Sequence, residues 1–349
     1  MSNEKHNIHS LRTPLTLKRV IGLSFLMCIL LFTVMAVSLI MGTADISMKQ
    51  VAGLLTGTLS TEDPASLIIL KIRLPRIILA GLVGFALSLG GVVFQAILRN
   101  PLADPFILGV SSGSAFGAVM GIIFGFSFKL GIPFMAFTGA LITIWLVMTL
   151  GARQMGMESS TILLTGVIIN AFFTAIIMFF ISTSSDSRLH TMLFWLYGDL
   201  SQSQFGQLAL IAPVVLVASL ILFGLAKDLN ILTSGEENAL QLGVEVEKTK
   251  KLGLLIVSLI MGLIVAFSGL IGFVGLIVPH LSRMAFGSDH RQLIPVASLG
   301  GAIFLIAADT LARTLISPSE LPVGVITAFM GAPFFIILLK KRGSRWSRS

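Results

Sequence analysis

GGVVFQAILRNPLADPFILGVSSGSAFG, from Gly90 to Gly117, joins two apolar runs through one short polar turn. The run before it reaches back to about residue 74 and the run after it reaches forward to about residue 126. Each is close to the roughly 20 residues that an α-helix needs to cross a bilayer. The pattern recurs along the chain. Spans are expected near 20–41, 74–97, 106–126, 131–151 and 160–182, then near 205–226, 252–271, a short 276–287, 292–315 and 321–339. The expected fold is all-α, a polytopic membrane helix bundle of about ten transmembrane helices.

Composition bounds the class in the same direction. Hydrophobic residues make up 55% of the 349 and charged residues 11%, with a mean hydropathy of +0.97. That is too apolar for a soluble domain, and too poor in charge to cover a watery surface. The net charge of +8 does not point to nucleic acid, because the cations sit at the ends of apolar runs. Placing both termini in the cytoplasm puts 17 of the 24 Lys and Arg on that side, as the positive-inside rule requires. The first apolar run follows a basic start but shows no small-residue cleavage site, so it is read as a retained helix.

These boundaries give an N-terminal cytoplasmic tail (1–19), one membrane domain (20–339) and a basic cytoplasmic tail (340–349) facing anionic lipid. The one cysteine, Cys28, lies within an apolar run and reads as a packing residue. Gly113, Gly117, Gly121 and Gly125 recur every four residues, a small-residue face for close helix packing. Gly84, Gly91 and Pro101 share their spacing with Gly262, Gly269 and Pro279, a candidate inverted repeat that chance explains equally well.

The longest hydrophilic stretch between spans, KDLNILTSGEENALQLGVEVEKTKK (Lys227 to Lys251), is assigned to the cytoplasm. Ser234 and Glu237 have capping-box spacing, which predicts a helix start there, and Gly243 is placed to end it. The segment reads as a surface helix for a partner, or as a solvated connector.

Seven blocks, in order, are similar to the permease subunits of type II ABC importers for iron-siderophores, haem and vitamin B12. They are RLPR (Arg73 to Arg76), NPLADP (Asn100 to Pro105), LGVSSG (Leu108 to Gly113), WLYGDLS (Trp195 to Ser201), GLIVPHLSR (Gly275 to Arg283), ADTLAR (Ala308 to Arg313) and ELPVGVITAFMGAPFF (Glu320 to Phe335). The resemblance implies a second permease subunit, identical or paralogous, two cytoplasmic ATPase subunits and an extracytoplasmic substrate-binding protein. It also implies a bacterial cell membrane, and a metal chelate as cargo, most readily a ferric siderophore, with vitamin B12 or haem as alternatives.

On the same resemblance, Arg73, Arg76 and Arg313 dock glutamates of the binding protein, a task suited to exposed guanidinium groups; snorkelling at the interface is the plainer reading. Asp309 stands four residues before Arg313, spaced to pair with it. Glu237, Ala239 and Gly243, with Ser234 before them, are similar to the ATPase-coupling loop, although Asn238 stands where that loop has its first alanine. Asn100 and Leu102, with Ser159 and Ser160, match positions similar to the cytoplasmic gate, and also read as turn and cap residues. Gln95 and Asn170 read as interhelical hydrogen-bonding groups, and His280 as a structural histidine at a helix break.

No catalytic motif is present. Without a GxxxxGK[ST] loop the chain has no phosphate cradle of its own, so ATP is expected to be used by a partner subunit and no cofactor by this chain. The five histidines include no i, i+4 helical pair, and no metal site is proposed. An ion-coupled secondary transporter would carry mid-membrane carboxylates or histidines, which the spans almost lack. A scaffold without transport is the third reading.

Overall fold

The computed structural model describes residues 16–151, 159–184 and 186–346. Residues 1–15 and 347–349 of the two tails, and the side chains of Ser159 and Ser160, lie outside the described residues. Among the described residues the structure is helical, without a strand. The first half comprises α1 (Leu17–Ile40), α2 (Met48–Leu55), α3 (Pro64–Leu67), a π-helical stretch Ile68–Arg73, α4 (Leu74–Ile97), a 3-10 turn Pro105–Leu108, α5 (Val110–Ile123), α6 (Gly131–Gly151) and α7 (Ser159–Thr183). The second comprises α8 (Asp186–Leu196), α9 (Phe205–Gly224), α10 (Ala226–Leu232), α11 (Glu236–Gln241), α12 (Val246–Ser268), α13 (Val274–Phe286), α14 (His290–Thr314) and α15 (Val323–Trp346).

Among the described residues seven helical runs are long and apolar enough to cross a membrane: α1, the continuous run Pro64–Ile97, α6, α7, α9, α12 and α14. Three further apolar helices, α5, α13 and the first part of α15, are shorter. The span expected at 106–126 is trimmed at both ends for local reasons. Asp104 caps the 3-10 turn by accepting from the Phe106 N–H at 2.8 Å, and Gly109, at φ 75°, separates that turn from α5. Gly125, assigned above to a packing face, instead lies beyond the helix end at φ 71° with open space around it. The other three members of that stripe do pack, Gly113 and Gly117 against the α6 backbone and Gly121 against Ile132 and Met135.

The axis of the bundle is α4, which packs against α14, α12, α13 and α9. Its second half, from Ala86 to Ile97, is continuously buried. Two glycines permit this. A Cβ at Gly84 would collide with the Gly301 carbonyl of α14, and one at Gly91 with the Gly275 carbonyl of α13. With no hydrophobic drive between helices in lipid, such backbone approach and the hydrogen bonds it allows hold helices together. Ser88 Oγ accordingly donates to Ala297 O at 2.7 Å, and Gln95 Nε2 to Gly275 O at 3.0 Å. By contrast α1 has no fully buried apolar residue and lies at the rim against α14, with Leu31, Val34, Met35 and Leu39 half-buried against the core.

Irregular backbone inside the bundle is paired internally, as a bilayer demands. The Asp199 N–H donates to Ser268 O, and the Val323 and Gly324 N–H groups donate to Gly198 O and Tyr197 O. These bonds tie WLYGDLS to the ends of α12 and α15. Of its aromatics, Trp195 is buried and Tyr197 exposed. His280 sits within a continuous α13, beside Phe334 and Phe335, and Pro279 does not break that helix. The spacing shared by Gly91 and Gly269 joins unlike structures, a helix interior and a helix end at φ 66°.

Gly91→Val is expected to force α4 and α13 apart at a backbone contact that cannot yield, a cost of at least about 2 kcal/mol on the scale of overpacked cores. The check is the thermal midpoint of the purified protein in detergent, compared with Gly206→Val, where nothing lies within 4 Å.

Candidate functional site

Polar groups concentrate at the two ends of α4, about 36 Å apart for its 24 residues at ~1.5 Å per residue. At its start the π-helical stretch runs into Pro75. The Leu74 N–H bonds to Ile69 O, five residues back, and Pro75 has no N–H to offer the next carbonyl. Arg73 and Arg76, three residues apart, share one helix face, and both are buried.

The three arginines expected to be exposed are buried: Arg73 at 4%, Arg76 at 6% and Arg313 at 4% relative exposure. The reason is the set of acceptors that surrounds them. Arg76 forms a two-nitrogen pair with Asp309 (Nε to Oδ1 3.0 Å, Nη2 to Oδ1 2.9 Å) and reaches Glu320 Oε2 with Nη1 at 2.7 Å. Arg313 Nε lies 3.2 Å from Asp309 Oδ2, the i, i+4 pair that the spacing predicts, while Nη2 donates to Ser38 O and Ser38 Oγ. Arg73 donates to Leu39 O, Ile40 O and Ala44 O. Arg73 and Arg313 thereby satisfy the carbonyls that end α1, favourable for cations at a helix C-terminus, and hold that rim helix to the bundle.

A cavity of about 160 Å³ is lined by all three arginines, Glu320 and residues 42–44. Three cations here face two carboxylates at ion-pairing distance, Asp309 and Glu320. Glu320 is the exposed member, its side chain 37% accessible against 1% for Asp309.

At the other end of α4, α11 begins at Glu236 with Gly235 as its N-cap and no side-chain cap. Ser234 therefore does not open a capping box; its Oγ donates to Ile231 O at 2.7 Å. Gly243 does end the helix. At φ 82° it closes a Schellman motif, with the Val244 N–H on Ala239 O and the Gly243 N–H on Leu240 O, both at 3.0 Å. Ala239, read above as part of a partner-facing tip, is fully buried, and the outward face is Glu237, Asn238, Leu240 and Leu242. The small residue is needed on the inner side because α11 lies against α10 and α12. Glu236, which sequence reasoning passed over, anchors the helix by accepting from the buried Lys250 at 3.0 Å and facing Arg99 at 3.7 Å.

Among the expected gate residues, Asn100 Oδ1 accepts from the Leu102 N–H at 2.9 Å, an Asx turn, and Leu102 is exposed. Gln95 is an interhelical group as expected, whereas Asn170 is exposed on α7. In the same turn, burial pushes the Asp104 carboxyl up to about 6, against the pull of its bond from Phe106.

Residues 29–341 match the family model described as the FecCD transport family. The chain belongs to the FecCD transport family. It is 43% identical over 283 residues to the cobalamin import system permease of Halobacterium salinarum, covering 81% of this chain and 76% of that one. It is 39% identical over 321 residues to the hemin transport system permease of Yersinia pestis, covering 89% and 95%. The fold matches a solved inward-facing conformation of a metal-chelate type ABC transporter, at 34% identity and a TM-score of 0.81, over 92% of this chain and 99% of that one. This FecCD chain is an integral membrane protein and a transport permease.

Two measurements separate the pairs at the start of α4. Asp309→Asn leaves two buried guanidinium groups short of charge and is expected to cost about 3–5 kcal/mol, read as a fallen thermal midpoint. Glu320→Gln removes the exposed partner and should cost under about 1 kcal/mol. For Asp104, ionisation is disfavoured in the folded state, so its contribution favours folding below the carboxyl's unfolded value, near 3.8, and is lost as pH rises to about 6. Asp104→Asn, which keeps the cap, should therefore raise the midpoint at pH 7.5 more than at pH 4.5.

Proposed function

We propose that the chain is the membrane permease of a binding-protein-dependent ABC importer that carries a metal chelate, with ferric siderophore as the cargo and vitamin B12 or haem as the alternatives. Family membership across residues 29–341 carries this reading. In the proposed arrangement about ten helices span a bacterial inner membrane with both termini in the cytoplasm. A second permease subunit completes the pathway, and the gate residues Asn100, Leu102, Ser159 and Ser160 lie at its inner end. Two ATPase subunits bind beneath, and a substrate-binding protein docks outside.

The α11 hairpin is the proposed contact for the ATPase. Leu240 and Leu242 are 61% and 67% exposed on a helix that Glu236 and Lys250 pin to the membrane core. An exposed apolar edge on a rigid mount suits transmission of ATPase closure as a rigid-body push. Outside, the guanidinium groups of Arg73, Arg76 and Arg313 are suited to an acidic partner, although Asp45 acts on Arg73 as Asp309 and Glu320 do on Arg76, and Glu320, the accessible carboxylate, is the one that an incoming glutamate would displace. Because these arginines are structural as well, Arg73→Glu with Arg76→Glu would harm the fold, and Glu320 is the cleaner probe.

Uptake of labelled ferric siderophores, haem and vitamin B12 by cells with and without this chain tests the function. Loss of a single cargo is expected, and unchanged uptake of all three without a compensating paralogue refutes it. Leu240→Asp with Leu242→Asp should abolish that uptake and weaken ATPase co-purification at least tenfold, while the thermal midpoint of the permease stays unchanged. Glu320→Gln should keep uptake and change the affinity for the binding protein.

A further inference from the structure

At the α11 end of the bundle a cavity of about 240 Å³ opens between the last turns of α4 and α13, the close of α10 and the start of α14. Arg99, Arg283, Thr233, Ser288 and His290 line it. Neither the fold nor the transport reading accounts for its chemistry.

Arg283 donates to Gln95 Oε1, a neutral acceptor, and among the described residues no carboxylate lies within ion-pairing distance of it. The nearby acids are engaged elsewhere. Asp289 takes the Arg291 guanidinium at 2.6 Å and the Asn230 amide at 2.8 Å, and Glu236 is shared between Lys250 and Arg99. Arg283 is half-buried, and a partly desolvated cation with no counter-charge at hand favours an anion beside it.

The remaining lining groups ask for something more specific. Asn230 Nδ2 faces Asp289, which can only accept, so Asn230 Oδ1 is the atom that meets His290. Both the backbone N–H and Nδ1 of His290 lie on that oxygen, at 2.8 and 2.7 Å, which places the ring proton on Nδ1. Nε2 is then a bare acceptor. It has no hydrogen-bond partner although His290 is only 3% exposed. Thr233 Oγ1 donates to Asn230 O at 2.7 Å and is likewise left to accept. Two cations and two acceptors thus line one cavity.

We propose that this cavity binds a phosphate group that carries a hydrogen-bond donor beside it, its anionic oxygens held by Arg283 and Arg99 and its donor by His290 Nε2 and Thr233 Oγ1. A carboxylate side chain from a protein partner would answer the charge but offers His290 no proton. The site lies at the ends of apolar helices, the level of lipid headgroups, so a phosphoglycerol or phosphoethanolamine headgroup fits the chemistry, as does hydrogenphosphate from solution. Phosphocholine, which has no donor, does not.

The test uses the full chain in phosphatidylcholine nanodiscs. One arm adds phosphatidylglycerol and reads retained lipid by native mass spectrometry. The other adds inorganic phosphate at constant ionic strength and reads the thermal midpoint. Tighter retention of phosphatidylglycerol than of phosphatidylcholine, or a midpoint raised by phosphate, supports the site and identifies its source. In either case Arg283→Gln should weaken the effect at least tenfold, and Arg99→Gln, at a half-exposed position, several-fold. Equal retention of both lipids and no phosphate effect, in the wild type as in both variants, overturns the proposal. So does protection of Arg283 from phenylglyoxal by the ATPase subunit alone, with neither phosphate source protecting it, since the counter-charge would then be a protein carboxylate.

Discussion

The close backbone approach of α4 to α14 and α13 is the constraint on which the rest of this structure depends. Gly84 against Gly301 and Gly91 against Gly275 bring three helices nearer than side chains of any size would allow. In lipid, where apolar surfaces gain little from leaving their solvent, such contact and the hydrogen bonds it permits are the main source of association. Both polar clusters are consequences of it. Arg76 at the start of α4 can reach Asp309 on α14 only because the helices touch, and Gln95 near its end can serve both Gly275 O and Arg283 of α13 for the same reason.

The arginine cluster joins four separate segments of the chain through shared acceptors. Arg73 and Arg313 close the carbonyl end of α1, a helix whose apolar residues are at most half-buried. Arg76 and Arg313 share Asp309, and Glu320 completes the set from the chain before α15. Buried ion pairs give little net stability but impose a heavy penalty when one member is lost, so the cluster fixes the relative placement of α1, α4, α14 and the approach to α15. Within the cluster Glu320 is the carboxylate left accessible, at 37% exposure, while Asp309 is enclosed. At the opposite end Glu236 does comparable work, holding α11 by Lys250 so that its leucines face outward on a firm base.

The sequence by itself determined the membrane class, the helical architecture and the family, because apolar run length and block order are properties of the linear chain. It also determined local geometry wherever neighbours in sequence are neighbours in space. The Asp309 to Arg313 pair, the Gly243 helix stop and the packing of Gly113 and Gly117 follow from helical spacing alone. Ser234 is an instructive exception. Its spacing to Glu237 suited a capping box, but the preceding helix claimed its hydroxyl for Ile231 O and the new helix began at Gly235.

Only the tertiary structure decided which way the charged side chains point. Three arginines near helix ends look alike in sequence whether they snorkel, dock a partner or turn inward; the carbonyls of Leu39, Ile40 and Ser38 that hold Arg73 and Arg313 lie at least 33 residues away along the chain, and Asp309 and Glu320, which hold Arg76, lie more than 200 away. The same holds for Ala239, whose burial depends on α10 and α12, and for Glu236, whose partners Lys250 and Arg99 come from two other segments. It holds most strongly for Arg283 and His290, which come to line one cavity only where four helix ends meet. Hydropathy and spacing are one-dimensional and survive in the sequence; counter-charge and hydrogen-bond satisfaction depend on distances that the fold alone creates.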